Sequence, residues 1–129
     1  MKTNEKFKQL IFGKEFDISI QNTDSGDGAV DLSIEEEEKI QQLLFVTSDN
    51  KEIEKNIIDF LNDMNSNSSI SKIESLYPNV YFKYINIIKE DNIIYLAGEQ
   101  PDGCAHGIAV VFSYDEVNFM KVTEEDSLL

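Results

Sequence analysis

The chain has 129 residues, a formal net charge of −14, and 11 basic residues against 25 acidic ones. Every basic residue is a lysine, so no guanidinium is available for paired contacts to phosphate or guanine, and the overall field repels nucleic acid and anionic membrane surfaces alike. With 41% hydrophobic residues, 16 isoleucines and 13 aromatics (8 Phe, 5 Tyr), the chain is not an acidic disordered segment, which lacks the side chains for a core.

The length fits one domain, 1–129, with ends at 1–10 and 123–129 expected to fray. The first residues carry lysines but no apolar stretch of signal-peptide length, and no window reaches the ~20 apolar residues of a membrane helix. One cysteine cannot form an internal disulfide. These features predict a cytoplasmic protein, and the heavy use of Ile, Asn and Lys fits an AT-rich bacterial or phage genome.

Lys14 to Ile20 alternates, with Phe16, Ile18 and Ile20 on one side, and predicts a half-buried strand. Turn formers follow from Gln21 to Gly28, and Ala29 to Ile34 alternates again through Val30, Leu32 and Ile34, which predicts a hairpin. Ser33-Ile-Glu-Glu36 is a capping box, in which the Ser hydroxyl accepts from the Glu36 amide and the Glu carboxylate accepts from the Ser33 amide. It predicts a helix from about Ile34 to Phe45, with Ile40, Leu43 and Leu44 inward. Asp49 to Glu52 repeats the capping logic ahead of a stripe of Ile53, Ile57, Phe60, Leu61 and Met64, the strongest helical periodicity in the chain. Ser71 to Glu74 would cap one more short helix before Pro78. The remainder reads as strands: Val80–Ile88, Ile93–Ala97, Ile108–Ser113 and Val117–Val122, with turns at Lys89–Asn92 and Tyr114–Glu116. Strands and helices segregated in this way predict an α+β fold, an antiparallel sheet of about six strands with two or three helices packed on one face.

Four groups of residues are candidates for chemistry. Cys104 and His106, two apart after Pro101-Asp-Gly103, are a thiol with a base within reach, and with Glu99 and Asp102 they form a candidate small-ligand or enzymatic site in the 98–107 loop. One Cys and one His fall short of a structural zinc site, and Asn22, Asp24, Asp27 and Asp31 surround two glycines without the EF-hand spacing, so no metal and no cofactor is expected. Glu35, Glu36, Glu37 and Glu38 open the first predicted helix, where the macrodipole favours negative charge. Glu36 is committed to the cap, which leaves Glu35, Glu37 and Glu38, with Asp24, Asp27 and Asp31 from the hairpin, as a candidate acidic docking surface. The aromatic strand Tyr81-Phe82-Lys83-Tyr84 is a candidate homodimer face. No nucleophile elbow, P-loop, dinucleotide fingerprint, HExxH or CxxC motif is present.

In size, charge and element order the chain resembles the immunity proteins of bacterial toxin systems, although it carries no family motif. That resemblance implies stoichiometric inhibition of a basic toxin, for example a nuclease, whose nucleic-acid channel an acidic surface would occlude. A phage or plasmid mimic of nucleic acid, acting on a host defence enzyme, would use similar physics, although here the acidic residues are spread over both halves of the chain. A basic protein partner is the expectation, with the loop-based ligand site as the alternative.

Overall fold

The computed structural model describes residues 2–22, 30–64, 80–99 and 107–128. It contains, in chain order, β1 (Lys6–Ile11), β2 (Lys14–Asn22), α1 (Ile34–Thr47), α2 (Lys51–Met64), β3 (Tyr81–Ile88), β4 (Ile93–Glu99), β5 (Ile108–Ser113) and β6 (Phe119–Thr123). The six strands form one sheet whose spatial order is their chain order. Every neighbouring pair is antiparallel except β2 with β3, which run parallel from Ser19↔Tyr84 to Asn22↔Ile87. A parallel pair cannot be closed by a hairpin, and both helices lie in the connection that returns the chain to the sheet. The fold is therefore α+β, as the segregation of elements predicts.

The sheet's first hairpin differs from expectation. Residues 30–33 do not form a strand; they contribute one isolated bridge, Lys2 with Asp31, while Ala29 lies outside the described residues. The cap decides this: once Ser33 closes the first turn of α1, Ile34 belongs to the helix and its side chain stands in solvent. The partner of β2 is instead β1, a strand without a counterpart among the predicted elements. Its two-residue turn, Phe12-Gly13, has positive φ at both positions (51° and 82°), the sign a type I′ turn requires.

Helix α1 runs two residues beyond the expected Phe45, and α2 is capped by Asn50, whose Oδ1 accepts from the Ile53 amide at 3.1 Å, rather than by Asp49. The third predicted helix, 71–78, falls outside the described residues. Strands β3 and β5 match the expectation closely, β4 extends through Glu99, and β6 begins at Phe119 rather than Val117, whose φ is +53°.

Both faces of the sheet are used. Ile18 and Ile20 of β2, Phe82, Ile85 and Ile87 of β3, Leu96 of β4 and Phe112 of β5 pack with Ile40 and Leu43 of α1 and Ile53, Ile57 and Leu61 of α2. A register shift between Phe82 and Tyr84 lets Phe82 and Ile85 share that face despite their odd spacing. On the opposite face a smaller cluster of Ile88, Tyr95, Ala97, Ala109 and Val111 is met by Leu128 from a C-terminal 3₁₀ helix, Glu125–Leu128. At the β3–β4 contact the backbones approach so closely that a Cβ on Gly98 would lie 2.8 Å from the Tyr81 carbonyl oxygen and 3.2 Å from the Phe82 Cα. Backbone cannot retreat as a flexible side chain can. Gly98→Ala is expected to lower the unfolding free energy by about 1–3 kcal/mol, measured by urea denaturation, with the far-ultraviolet dichroism of the folded state unchanged.

Candidate functional site

The end of the sheet where β2 and β3 both terminate is held together by one buried carboxylate. Glu36, 6% exposed, closes the capping box: its Oε1 accepts from the Ser33 amide at 2.8 Å, and its own amide donates to the Ser33 hydroxyl at 3.1 Å. Its Oε2 accepts from Asn22 Nδ2 at 2.8 Å and lies 3.2 Å from Lys89 Nζ. Burial alone would raise the Glu36 carboxyl, but the Ser33 bonds and the Lys89 ammonium outweigh it and hold the group below its ordinary range. Lys89 shows the reciprocal balance: burial disfavours its charge, and Glu36 more than restores it.

The same end gathers two turns. Tyr114, 7% exposed, lies between two lysines, with Lys39 Nζ 5.6 Å and Lys89 Nζ 5.7 Å from its ring centroid. Asn92, in a left-handed conformation at the β3–β4 turn, accepts from the Tyr114 amide at 3.0 Å through its carbonyl and from the Asp115 amide at 2.9 Å through its side chain. Lys39 of α1 donates to the Asp115 carbonyl, and Gln42 reaches the Glu116 carbonyl at 3.5 Å. The amide of Glu116 donates to the Asp115 carboxylate at 2.8 Å, which helps to keep that group below the usual carboxylate range.

These contacts assemble an acidic rim from three segments. Glu35 and Glu38 of α1, Glu90 and Asp91 of the β3–β4 turn, and Asp115 and Glu116 of the β5–β6 turn are all exposed. Lys39 and Lys89 are engaged with Glu36, Tyr114 and a backbone carbonyl, with the Lys89 side chain still 41% exposed, so neither neutralises the exposed carboxylates of the rim by a direct ion pair among the described residues. The Glu38 side chain makes no hydrogen bond or ion pair among the described residues. Exposed carboxylates of this kind accept hydrogen bonds from lysine and arginine and steer cationic surfaces.

Of the sequence-predicted docking residues, Glu35 and Glu38 belong to this rim and Glu37 is half-buried beside them. Asp31 is exposed and paired through its backbone with Lys2, two residues before the Ser33 cap. Asp24 and Asp27 lie outside the described residues. No local pattern joins the acids of the two later turns to α1, because only the tertiary contacts of Asn92, Lys39 and Gln42 bring them there. In the alternative site, Glu99 ends β4, exposed and ion-paired with Lys83, while Asp102, Cys104 and His106 lie outside the described residues. Among the described residues no group of three or more His, Cys, Asp or Glu side chains is placed to hold a metal ion. Tyr81, from the proposed dimer strand, is half exposed and packs edge-on against Phe16 at 5.9 Å.

A second polar cluster was not anticipated. On the face away from the helices, Glu125 Oε2 accepts from the hydroxyls of Tyr84 and Tyr95, the latter at 3.0 Å, and Asn86 Nδ2 donates to the Tyr95 hydroxyl at 3.0 Å. A buried tyrosine needs a partner for its hydroxyl, which is the signal that Tyr95 in an otherwise apolar strand carries. Burial and the Glu125 charge push Tyr95 up to about 12 and Tyr84 upward as well, with the Asn86 bond opposing the shift at Tyr95. The cluster fastens the C-terminal 3₁₀ helix to the sheet. No family model, curated protein or solved structure matches the chain.

Two pH effects follow with opposite signs. Glu36 has a lowered folded pKa, so its contribution is complete above the ordinary glutamate value of ~4.3 and is lost as pH falls through the lower folded value. Glu36→Gln is expected to cost about 1–3 kcal/mol at neutral pH and to flatten the acid limb of a thermal-melt series. Tyr95 has a raised folded pKa, so its contribution is complete below the ordinary tyrosine value of ~10 and is lost as pH rises through about 12. An ultraviolet tyrosinate titration should show this late step, and Tyr95→Phe should remove it.

Proposed function

We propose that the protein is a stoichiometric inhibitor that binds a basic protein partner through the acidic rim around the first turns of α1. The observation that supports this reading is the gathering of exposed carboxylates from α1 and two separate turns at one end of the sheet, where Lys39 and Lys89 are engaged with Glu36, Tyr114 and a backbone carbonyl rather than with the rim. Solubility needs only scattered charge. Here the backbone segments that carry the acids are held together by contacts that run through Asn92, Gln42 and Lys39. Surface ion pairs contribute little to folding, and Glu38 makes none among the described residues, so its place in the rim is not explained by the stability of the fold.

In mechanism the rim acts first at long range. A surface of one charge sign accelerates encounter with a basic partner, and the effect weakens as salt shortens the Debye length from ~10 Å at 0.1 M toward ~3 Å at 1 M. At contact the carboxylates accept from lysine and arginine and occlude the surface those groups would present to an anionic substrate. Immunity proteins that neutralise a basic toxin in the producing cell's cytoplasm work in this way, and we assign the chain to that functional class. Among the described residues no helix is long and apolar enough to cross a membrane.

The test is capture of the partner from a lysate of the source cells at low and high salt, followed by association kinetics with the purified partner. Glu35→Lys with Glu38→Lys is expected to slow association at least tenfold at low salt, to flatten its salt dependence, and to leave the melting temperature within a few degrees of the parent. Unchanged kinetics in that double variant would move the interface away from α1.

A further inference from the structure

The solvent face of α1 carries more than charge. Its inward residues are Glu36, Ile40, Leu43, Leu44 and Thr47. On the opposite side Ile34 is 77% exposed and Phe45 is 84% exposed, the two most exposed large apolar side chains among the described residues. They are eleven positions apart, which places them about 16 Å apart along the helix and within ~20° of each other around its axis. Glu38 and Gln41 lie between them on the same stripe, both exposed. Helix α2, of the same 14-residue length, exposes no large apolar side chain among the described residues. A single exposed apolar residue is ordinary on a protein surface, but two at opposite ends of one stripe, with a carboxylate between them, are a pattern.

Resting on the reading above, we propose that Ile34 and Phe45 are the two apolar anchors by which α1 lies lengthwise in a groove of its partner, a protein surface with an apolar floor and lysine- and arginine-rich walls. Charge complementarity selects this occupant. In a symmetric antiparallel pairing with a second copy of this chain, Ile34 would meet Phe45 and Glu38 would meet Gln41, so neither Glu38 carboxylate would gain a cation, and the two chains, each of net charge −14, would repel. A basic wall removes that repulsion and leaves both apolar contacts. Helix-in-groove recognition uses apolar residues on one helical face in this way, and aromatic side chains are enriched among those that dominate binding.

The test uses two synthetic helical peptides of equal positive charge, one alternating lysines with leucines and the other lysines with serines. Each is titrated into the isotope-labelled full chain and followed by amide chemical shifts and fluorescence anisotropy. The proposal expects the leucine peptide to bind about tenfold tighter, with shifts concentrated at positions 34–45. Ile34→Ala and Phe45→Ala should each reduce that preference, and together abolish it, with the melting temperature retained, because alanine is a better helix former at an exposed site. Equal affinity for both peptides, with both weakened by Glu35→Lys and Glu38→Lys, would overturn the anchors while leaving the acidic-rim reading in place. Binding of neither peptide at low salt would count against both. Sedimentation that shows a dimer of the chain abolished by Phe45→Ala would overturn the basic occupant in favour of a second copy.

Discussion

At the end of the parallel pair, Asn22 closes β2 and Lys89 follows β3, and both reach the same carboxylate of Glu36. Only a parallel register could arrange this. With Asn22 opposite Ile87, the two strands finish at the same edge of the sheet, whereas an antiparallel pair would send those residues to opposite ends. The carboxylate that caps α1 thereby also fixes where α1 begins relative to the sheet. Because its bonds come from an amide, a side-chain amide and an ammonium, burying this charge leaves it satisfied, which is the condition for a buried carboxylate to be tolerated. The acidic rim inherits its position from this contact.

The acids of α1 therefore divide by role within one turn. Glu36 is spent on architecture, while Glu35 and Glu38, its neighbours in sequence, face outward. The lysines divide in the opposite sense: Lys39 and Lys89 are directed at Tyr114 and its surroundings, where they latch the β5–β6 turn against the helix. An acidic protein with few cations places two of them where they support the framework, and the exposed carboxylates of that end are left without them as ion-pair partners.

Much of this was legible in the sequence, and the failures have physical causes. The capping box and the stripe of α2 are local patterns, and local patterns place helices well. Strands β3 to β6 form consecutive antiparallel neighbours, so apolar runs separated by turns were enough to find them. Strand β1 was hidden because its alternation is inverted: Gln9 lies on the side of Phe7 and Ile11, while Leu10 faces solvent. The alternation of Val30, Leu32 and Ile34 misled because a helix cap and a strand compete for the same residues, and the cap satisfied backbone groups that a lone strand would have left open. In the candidate site the contribution of α1 followed from its run of glutamates. The acids of the later turns, and the clasp of Tyr84, Tyr95 and Glu125, depend on contacts between residues 23 to 76 positions apart, which no local pattern encodes.

The single parallel pairing also orders events during synthesis. As the chain emerges from its amino end, β1 and β2 can close their tight turn, and the helices can begin to wind, while Ile18, Ile20 and Ile57 still lack the strand they pack against. That strand, β3, is made some 60 residues after β2, a delay of several seconds at ~5–20 residues per second. For that interval β2 is an unpaired edge with an apolar face. Residues 1–64 hold 15 acidic and 7 basic side chains, and that excess of like charge opposes association of the unfinished chain with a second copy, so the acidity of this protein has a use before its fold is complete.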